Sequence, residues 1–259
     1  MSVYRDPVFI AGALRSGTTF LRLMLDAHPK ISNPGEADFL FDCRPGGHAP
    51  SRSEYLEFLS LNRVYQQHRS TRGLSPVDGN CDDIVRGFVR QFTSEGEILT
   101  LNVHRHFDKA HDHFPSAKFI HLVRDPRDVA TSSIKMGWAG HVYYGLNHWL
   151  DTERSWERLL RAPDQVDVLQ LKYEELVLET RFQLERICDF IGTEFHDSML
   201  DYPDRSTYGA PDAGFANQWR TGLSGRECEL VLHKAGPLML RYGYVDRQPT
   251  VPQPKFAEL

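Results

Sequence analysis

Short apolar runs and segments with helix-spaced apolar residues alternate along the chain. Residues 8–11 form a short apolar run, and residues 20–25 then place Phe20, Leu21, Met24 and Leu25 at helical spacing. Similar apolar runs predict further strands at 99–103, 118–123 and 166–171. Helical patterns cover residues 126–136, 144–160, 180–191 and 225–241. Strands that alternate with helices predict an α/β fold with a largely parallel sheet flanked by helices on both faces.

The middle of the chain follows a different pattern. Residues 43–97 are mostly polar, with helical spacing at 53–65 and 82–92 between Gly- and Pro-containing breaks. We interpret this region as a helical and loop insertion, or lid, on the α/β core. Since no internal repeat or interdomain linker is visible, residues 1–259 are expected to form a single domain. Residues 31–41, just before this region, read as a short strand or turn beside the first strand.

The first strand leads into a glycine-rich loop. The spacing Gly12-x4-Gly17-Thr18-Thr19 fits the phosphate-loop template, in which backbone N–H groups and a helix N-terminus bind an anion. Thr18 stands where an NTP-hydrolysing loop has Lys, and the nearest cation is Arg15 inside the loop. A phosphate-containing ligand is therefore expected, and a nucleoside triphosphate with bound magnesium is not.

Composition argues against some classes of binding partner. The 259 residues are 41% hydrophobic and 25% charged, and the formal net charge of −5 argues against general binding to nucleic acids or anionic membranes. The four cysteines are scattered without a C-x-x-C pair, which indicates reduced thiols. With no signal segment or membrane-length apolar run, a cytoplasmic protein is expected.

Two motifs together resemble the sulfotransferase family, whose donor is 3′-phosphoadenosine 5′-phosphosulfate (PAPS). Arg15-Ser16-Gly17-Thr18-Thr19 resembles the family's 5′-phosphosulfate loop, and residues 119–132 resemble its 3′-phosphate segment. The resemblance implies a P-loop-NTPase-like sheet. It also implies that Ser16, Gly17, Thr18 and Thr19 hold the 5′ end, while Arg124 and Ser132 hold the 3′-phosphate.

The positions of Arg124 and Ser132 are consistent with a second anion site. Arg124 follows an apolar strand, and ligands of open α/β sheets bind at the carboxyl ends of strands. Ser132 lies eight residues later, two turns into the next predicted helix. The charged neighbours Asp125, Arg127 and Asp128 read better as helix capping with local ion pairs.

The catalytic assignments come from the tyrosylprotein branch of the family. That branch carries a loop Arg, a helix ending in Asp-Ala-His-Pro and then a loop Glu that deprotonates the acceptor. Arg15 and Glu36 match these positions, so Arg15 is expected to stabilise the leaving phosphate and Glu36 to act as general base, with Asp38 its nearest competitor. A second catalytic Lys of relatives is missing here, and His104 or Arg105 is expected to replace it.

Two later stretches extend the resemblance. Tyr173, in Leu171-Lys172-Tyr173-Glu174-Glu175-Leu176, matches a family tyrosine near the adenine, although a core tyrosine is an alternative. Arg220, before the final helix, corresponds to a second cation for the 3′-phosphate. No metal is expected, because the histidines of residues 104–113 lack a cysteine or clear carboxylate partner to complete a ligand set.

The predicted function is sulfuryl transfer from PAPS to an acceptor hydroxyl, without an essential metal. The acceptor stays open among small molecules, carbohydrates and peptide tyrosines, and the sequence does not indicate the oligomeric state. Two alternatives remain. One is a nucleotide or small-molecule kinase of the same fold, and the other is a non-catalytic nucleotide-binding module.

Overall fold

A computed structural model describes residues 5–44, 48–202, 209 and 212–246. Its centre is a five-stranded sheet in the order β2-β3-β1-β4-β5, and every pairing is parallel. The strands are β1 (Val8–Ala11), β2 (Ile31–Ser32), β3 (Ile98–Val103), β4 (Lys118–Val123) and β5 (Asp167–Lys172). The predicted parallel α/β sheet is therefore confirmed.

Helices connect the strands and cover the sheet. In chain order they are α1 (Thr18–Asp26), α2 (Arg52–Leu61), α3 (Arg63–Arg72), α4 (Cys81–Phe92), α5 (Phe107–His113), α6 (Pro126–Lys135), α7 (Val142–Gly145), α8 (Asn147–Leu159), α9 (Tyr173–Leu178), α10 (Thr180–Ile191), α11 (Trp219–Gly222) and α12 (Gly225–Arg241). Residue types that favour helix ends are found at several ends of the observed helices. Pro126 occupies the first turn of α6, and Gly192 ends α10 in the left-handed region with φ 84°.

Alternate residues of β1 separate two hydrophobic layers. Phe9 and Ala11 face a core that includes residues from α2 to α5, together with Trp156 of α8. Val8 and Ile10 face the opposite core, built on α1, α9 and α10. Because all four residues of β1 are buried, the strand lies at the centre of both layers. The loop that follows it is consequently attached to a strand that is buried on both faces.

The polar middle of the chain forms much of one layer. Its predicted helices are present as α2 and α4, with α3 between them. Phe88 of α4 is fully buried and packs edge-to-face on Phe39, while Tyr55 of α2 donates hydrogen bonds to the backbone carbonyls of Phe39 and Leu40. An amphipathic helix whose charged residues face solvent gives a polar composition even where its inner face is apolar.

Two sequence predictions need correction. The short strand of residues 31–41 lies at the sheet edge and pairs with β3 rather than with β1, whose neighbours are β3 and β4. The single helix predicted over residues 144–160 is two helices, α7 and α8, which break at Leu146. Tertiary contacts explain the break, because the Lys234 ammonium donates to the Tyr143 carbonyl and α7 packs closely on α6.

A substitution in α4 tests whether the polar middle belongs to the same cooperative unit as the sheet. Phe88→Ala is expected to lower the free energy of unfolding of the whole chain by about 3–5 kcal/mol, since it empties a buried aromatic site. Urea denaturation followed by circular dichroism measures this. Phe182→Ala, on a side chain that is 56% exposed, is the control, expected within about 0.5 kcal/mol of wild type. Two separate transitions, with only one shifted by Phe88→Ala, would contradict a single unit.

Candidate active site

A cavity of about 500 Å³ opens at the carboxyl edge of the sheet. It lies between the glycine-rich loop, the start of α1, helix α6 and helix α9. The lining residues are Arg15, Gly17, Thr18, Thr19, Phe20, Arg124, Ser132, Lys135, Met136, Tyr173, Val177, Gly209, Asp212, Phe215 and Gln218. Six of the predicted binding residues, from the loop and from the Arg124 segment, thus share one cavity with Tyr173.

The loop adopts a backbone suited to an anion. Arg15 and Gly17 both have positive φ, at 70° and 93°, so the chain turns sharply before α1 begins at Thr18. Gly17 provides no side-chain cap for α1, which leaves the amides of its first turn available to a ligand. Ser16 is fully buried, and within the described ranges its hydroxyl oxygen has no hydrogen-bond partner. An anion in this loop would meet amide donors and the positive end of the helix dipole.

Arg124 connects the loop with the far side of the cavity. Its guanidinium donates to the Arg15 carbonyl at 3.1 Å and to the Phe215 carbonyl at 2.7 Å, and stacks on the Tyr173 ring with 4.3 Å to the centroid. Only 9% of the residue is exposed, and none of the residues that the structure describes accepts a hydrogen bond from Nε. Asp128 lies 3.6 Å away and offsets part of its charge. A buried cation with an unused donor is suited to a phosphate.

Ser132 connects helix α6 with the glycine-rich loop. Its hydroxyl accepts a hydrogen bond from Nε of Arg15 at 2.9 Å, and both residues line the cavity. Lys135, one turn further along α6, also lines the cavity and was missed in the sequence. Its position could have been predicted from that of Ser132, because positions i and i+3 of a helix share a face. A ligand here would thus meet three cations.

The neighbouring charges are structural, as predicted from the sequence. Asp125 caps α6 by accepting from the backbone N–H of Arg127 at 2.9 Å, and its carboxylate pairs with the Arg127 guanidinium at 2.6 Å. Asp128 accepts from the backbone N–H of Trp219 at 2.7 Å, which fixes the segment beyond Phe215 against α6. Burial raises the pKa of Asp128, in spite of the opposing effects of this hydrogen bond and of Arg124.

His104 lies directly after β3, against the loop. It is 3% exposed, and its Nε2 is 3.4 Å from the Thr18 hydroxyl. Asp38 accepts from the His104 backbone N–H at 2.8 Å and from Nδ1 at 2.7 Å. Burial alone would lower the pKa of His104, but the charge and hydrogen bond of Asp38 outweigh it and raise the pKa. Arg105, the other candidate, forms a two-point pair with Asp42 instead.

Glu36 is exposed and does not line the cavity. Backbone pairing with Asn102 of β3 holds its segment, and its carbonyl lies 3.1 Å from Nε2 of His68. Its charge also helps to raise the pKa of His104. The general base predicted from the sequence therefore lies at the same sheet edge, outside the cavity.

Arg220 is another predicted residue that does not line the cavity. It is exposed on α11, with its guanidinium 4.8 Å from the centroid of the Trp219 ring. Gln218, two residues earlier, does line the cavity and accepts from Lys135 at 3.3 Å. Within the described ranges, no three His, Cys, Asp or Glu residues are grouped to hold a metal ion.

Comparisons with known proteins point to one family. A sequence profile described as the sulfotransferase family matches residues 7–197. Protein-tyrosine sulfotransferase A of Caenorhabditis elegans is 23% identical over 221 residues, which cover 75% of this chain and 52% of that protein. The chain thus spans about half the length of that relative. None of the described helices has the length and apolar composition that crossing a bilayer requires.

Solved structures share the fold. The sulfotransferase domain of the Synechococcus PCC 7002 olefin synthase superposes with a TM-score of 0.68 at 24% identity, covering 90% of this chain and 96% of that one. Mouse sulfotransferase SULT7A1, solved with 3′-phosphoadenosine 5′-phosphate (PAP), gives a TM-score of 0.52 at 16% identity, with 94% and 90% coverage. These likenesses confirm the P-loop-like architecture that the sequence predicted.

The contact between Gly17 and Tyr173 gives a test of the site's construction. A Cβ at Gly17 would lie 2.4 Å from the Tyr173 ring, whereas at Gly73, also at positive φ, nothing lies within 4 Å. Gly73→Ala is expected to cost about 1 kcal/mol of unfolding free energy through backbone strain. Gly17→Ala should cost at least about 2 kcal/mol, because the ring must also move. Urea denaturation compares them, and equal costs would contradict the close packing.

Proposed function

The chain belongs to the sulfotransferase family, and we propose that it transfers a sulfuryl group from PAPS to an acceptor hydroxyl. The observation that carries the proposal is the shared cavity, in which the amides of a phosphate loop and the buried guanidinium of Arg124 both face one space of about 500 Å³. A donor with a phosphosulfate at one end and a phosphate at the other needs two such anion sites.

In this proposal the donor lies along the cavity. The loop amides with Ser16, Thr18 and Thr19 bind the 5′-phosphosulfate, and Arg124 with Ser132 binds the 3′-phosphate. Tyr173, whose ring stacks on Arg124 and lines the cavity, lies beside the adenine. Arg220 reaches the 3′-phosphate only if α11 moves, because its side chain is exposed and packs on Trp219.

The proposed reaction is an in-line displacement at sulfur. The acceptor oxygen forms the new S–O bond, the bond to the bridging phosphate oxygen breaks, and PAP leaves. Glu36 takes the acceptor proton, while Arg15 stabilises the charge that develops on the bridging oxygen. His104 takes the place of the family's second Lys beside the sulfuryl group. Charge stabilisation by fixed donors dominates catalysis in such transfers.

The acceptor class stays open. Trp138 is 51% exposed and lies beside Arg15, whose guanidinium is 5.9 Å from the ring centroid. An aromatic wall next to the loop suits a peptide tyrosine, an apolar small molecule or the face of a sugar. The cytoplasmic location also stays a prediction.

A P-loop kinase is the alternative function, which the Thr at position 18 disfavours because that position carries the phosphate-binding Lys in such loops.

Ligand-induced stabilisation separates the two functions. PAP at about 100 times its dissociation constant should raise the melting temperature by roughly 5 °C, through preferential binding to the folded state. ADP, and ATP with magnesium, should give much smaller shifts because they lack the 3′-phosphate. Differential scanning fluorimetry measures this, with Arg127→Ala as a folded control and Arg124→Ala as the variant that loses the shift. A larger shift with ATP and magnesium would favour the kinase.

The role of Glu36 is tested by turnover. Glu36→Gln should retain PAP affinity while kcat for sulfuryl transfer from radiolabelled PAPS falls about 10²–10⁴-fold, since the amide cannot accept the acceptor proton. Glu95→Gln, at an exposed carboxylate elsewhere on the surface, should match wild type. Unchanged kcat in Glu36→Gln would remove Glu36 as the base.

A further inference from the structure

Asp38 and His104 form a buried pair at the edge of the donor cavity. They are 66 positions apart in sequence, yet the carboxylate contacts both the backbone N–H and Nδ1 of His104. Exposures of 8% for Asp38 and 3% for His104 keep the pair from water. Because one carboxylate oxygen is used for each contact, the ring cannot rotate without losing a charge-assisted hydrogen bond.

This arrangement determines which ring nitrogen is directed at the loop. Nδ1 must carry a proton to donate to the carboxylate, which leaves Nε2 to face the loop. Nε2 lies 3.4 Å from the Thr18 hydroxyl. Thr18 lines the cavity and occupies the loop position where an NTP-hydrolysing loop has Lys. On the other side, the Thr152 hydroxyl of α8 donates to the His104 carbonyl at 2.8 Å. Asp38 thus orients the imidazole, and Thr152 holds the backbone that carries it.

We propose that Asp38 is a positioning residue for His104, holding the imidazole charged and with its Nε2–H directed at Thr18 and the sulfuryl end of the donor. The inference rests on the proposed function, which supplies that donor. Asp38 touches neither the donor nor the acceptor in this scheme and acts only through His104. The pair thereby provides, beside a loop without its Lys, a cation fixed by a buried carboxylate.

The electrostatic surroundings agree with a charged imidazole. Burial disfavours the charge, whereas Asp38 first and Glu36 second favour it, and the pKa of His104 is raised overall. Arg105 opposes the charge, but its guanidinium is paired with Asp42. His148 also faces His104, and burial lowers its pKa, so it adds little competing charge near neutral pH. Removing the Asp38 charge leaves burial as the main influence, which lowers the pKa of His104.

Asp38→Asn tests the inference, because asparagine preserves size and can still accept from the His104 backbone N–H. Nitrogen-15 NMR of the imidazole rings reports charge and tautomer, with His104→Gln identifying the signal. At about pH 6.5, the ordinary histidine pKa, His104 of the wild type should be mostly charged. In Asp38→Asn it should be mostly neutral. An unchanged protonation state in the variant, or a neutral His104 in the wild type, overturns the inference.

Turnover supplies the second readout. In Asp38→Asn, kcat for transfer from PAPS should fall about 10²-fold with little change in PAP affinity, because the lost charge acts on the transition state. Wild-type kcat should decline as pH rises through the raised pKa of His104, and this decline should occur at lower pH in the variant. Adding Asp38→Asn to His104→Gln should cost nothing further. A full additional loss would mean that Asp38 acts by another route.

Asp82→Asn is the matched control, since this carboxylate pairs with a different histidine, His113 of α5, at 2.6 Å. It should retain wild-type kcat and the wild-type pH profile. The imidazole spectra do not depend on turnover. Failure of the proposed function, shown by a wild type that transfers nothing from PAPS, is therefore distinguished from failure of the Asp38–His104 inference.

Discussion

The Arg124 guanidinium holds together several of the segments that line the cavity. It is fixed at the end of β4 and binds the carbonyls of Arg15 in the loop and Phe215 in the segment before α11. Its stacking on Tyr173 adds the start of α9. Four separate stretches of chain are thus oriented around one buried cation. Such a charge is costly to bury, and among the described residues the Asp128 carboxylate, at 3.6 Å, is the anion that pairs with it.

The parallel sheet explains why these groups meet. Because β1, β3 and β4 run in the same direction, the loop after β1, His104 after β3 and Arg124 after β4 emerge at one edge. The segment carrying Glu36 and Asp38 joins them through its pairing with Asn102. One edge of the sheet therefore carries both the proposed donor site and the proposed base. The acceptor hydroxyl would lie between them.

Much of this was predictable, for physical reasons. Apolar runs marked the buried strands, and the Gly12 to Thr19 spacing marked the loop, because both depend on local sequence. Arg124 and Ser132 followed from the strand end and the helix period. The Asp38–His104 pair, the break at Leu146 and the exposed position of Arg220 depend on tertiary contacts between distant residues. No local pattern encodes them, and the sequence indicated Asp38 only as an alternative to Glu36 as general base.

We propose that one cavity binds both ends of a single adenosine bisphosphate. Isothermal titration calorimetry with PAP, adenosine 5′-phosphate and adenosine 3′-phosphate measures this. PAP should bind with one-to-one stoichiometry and at least about 100-fold more tightly than either monophosphate, because each phosphate contributes charge-assisted hydrogen bonds in its own site. Equal affinities for PAP and adenosine 5′-phosphate would contradict it, since the Arg124 site would then contribute nothing.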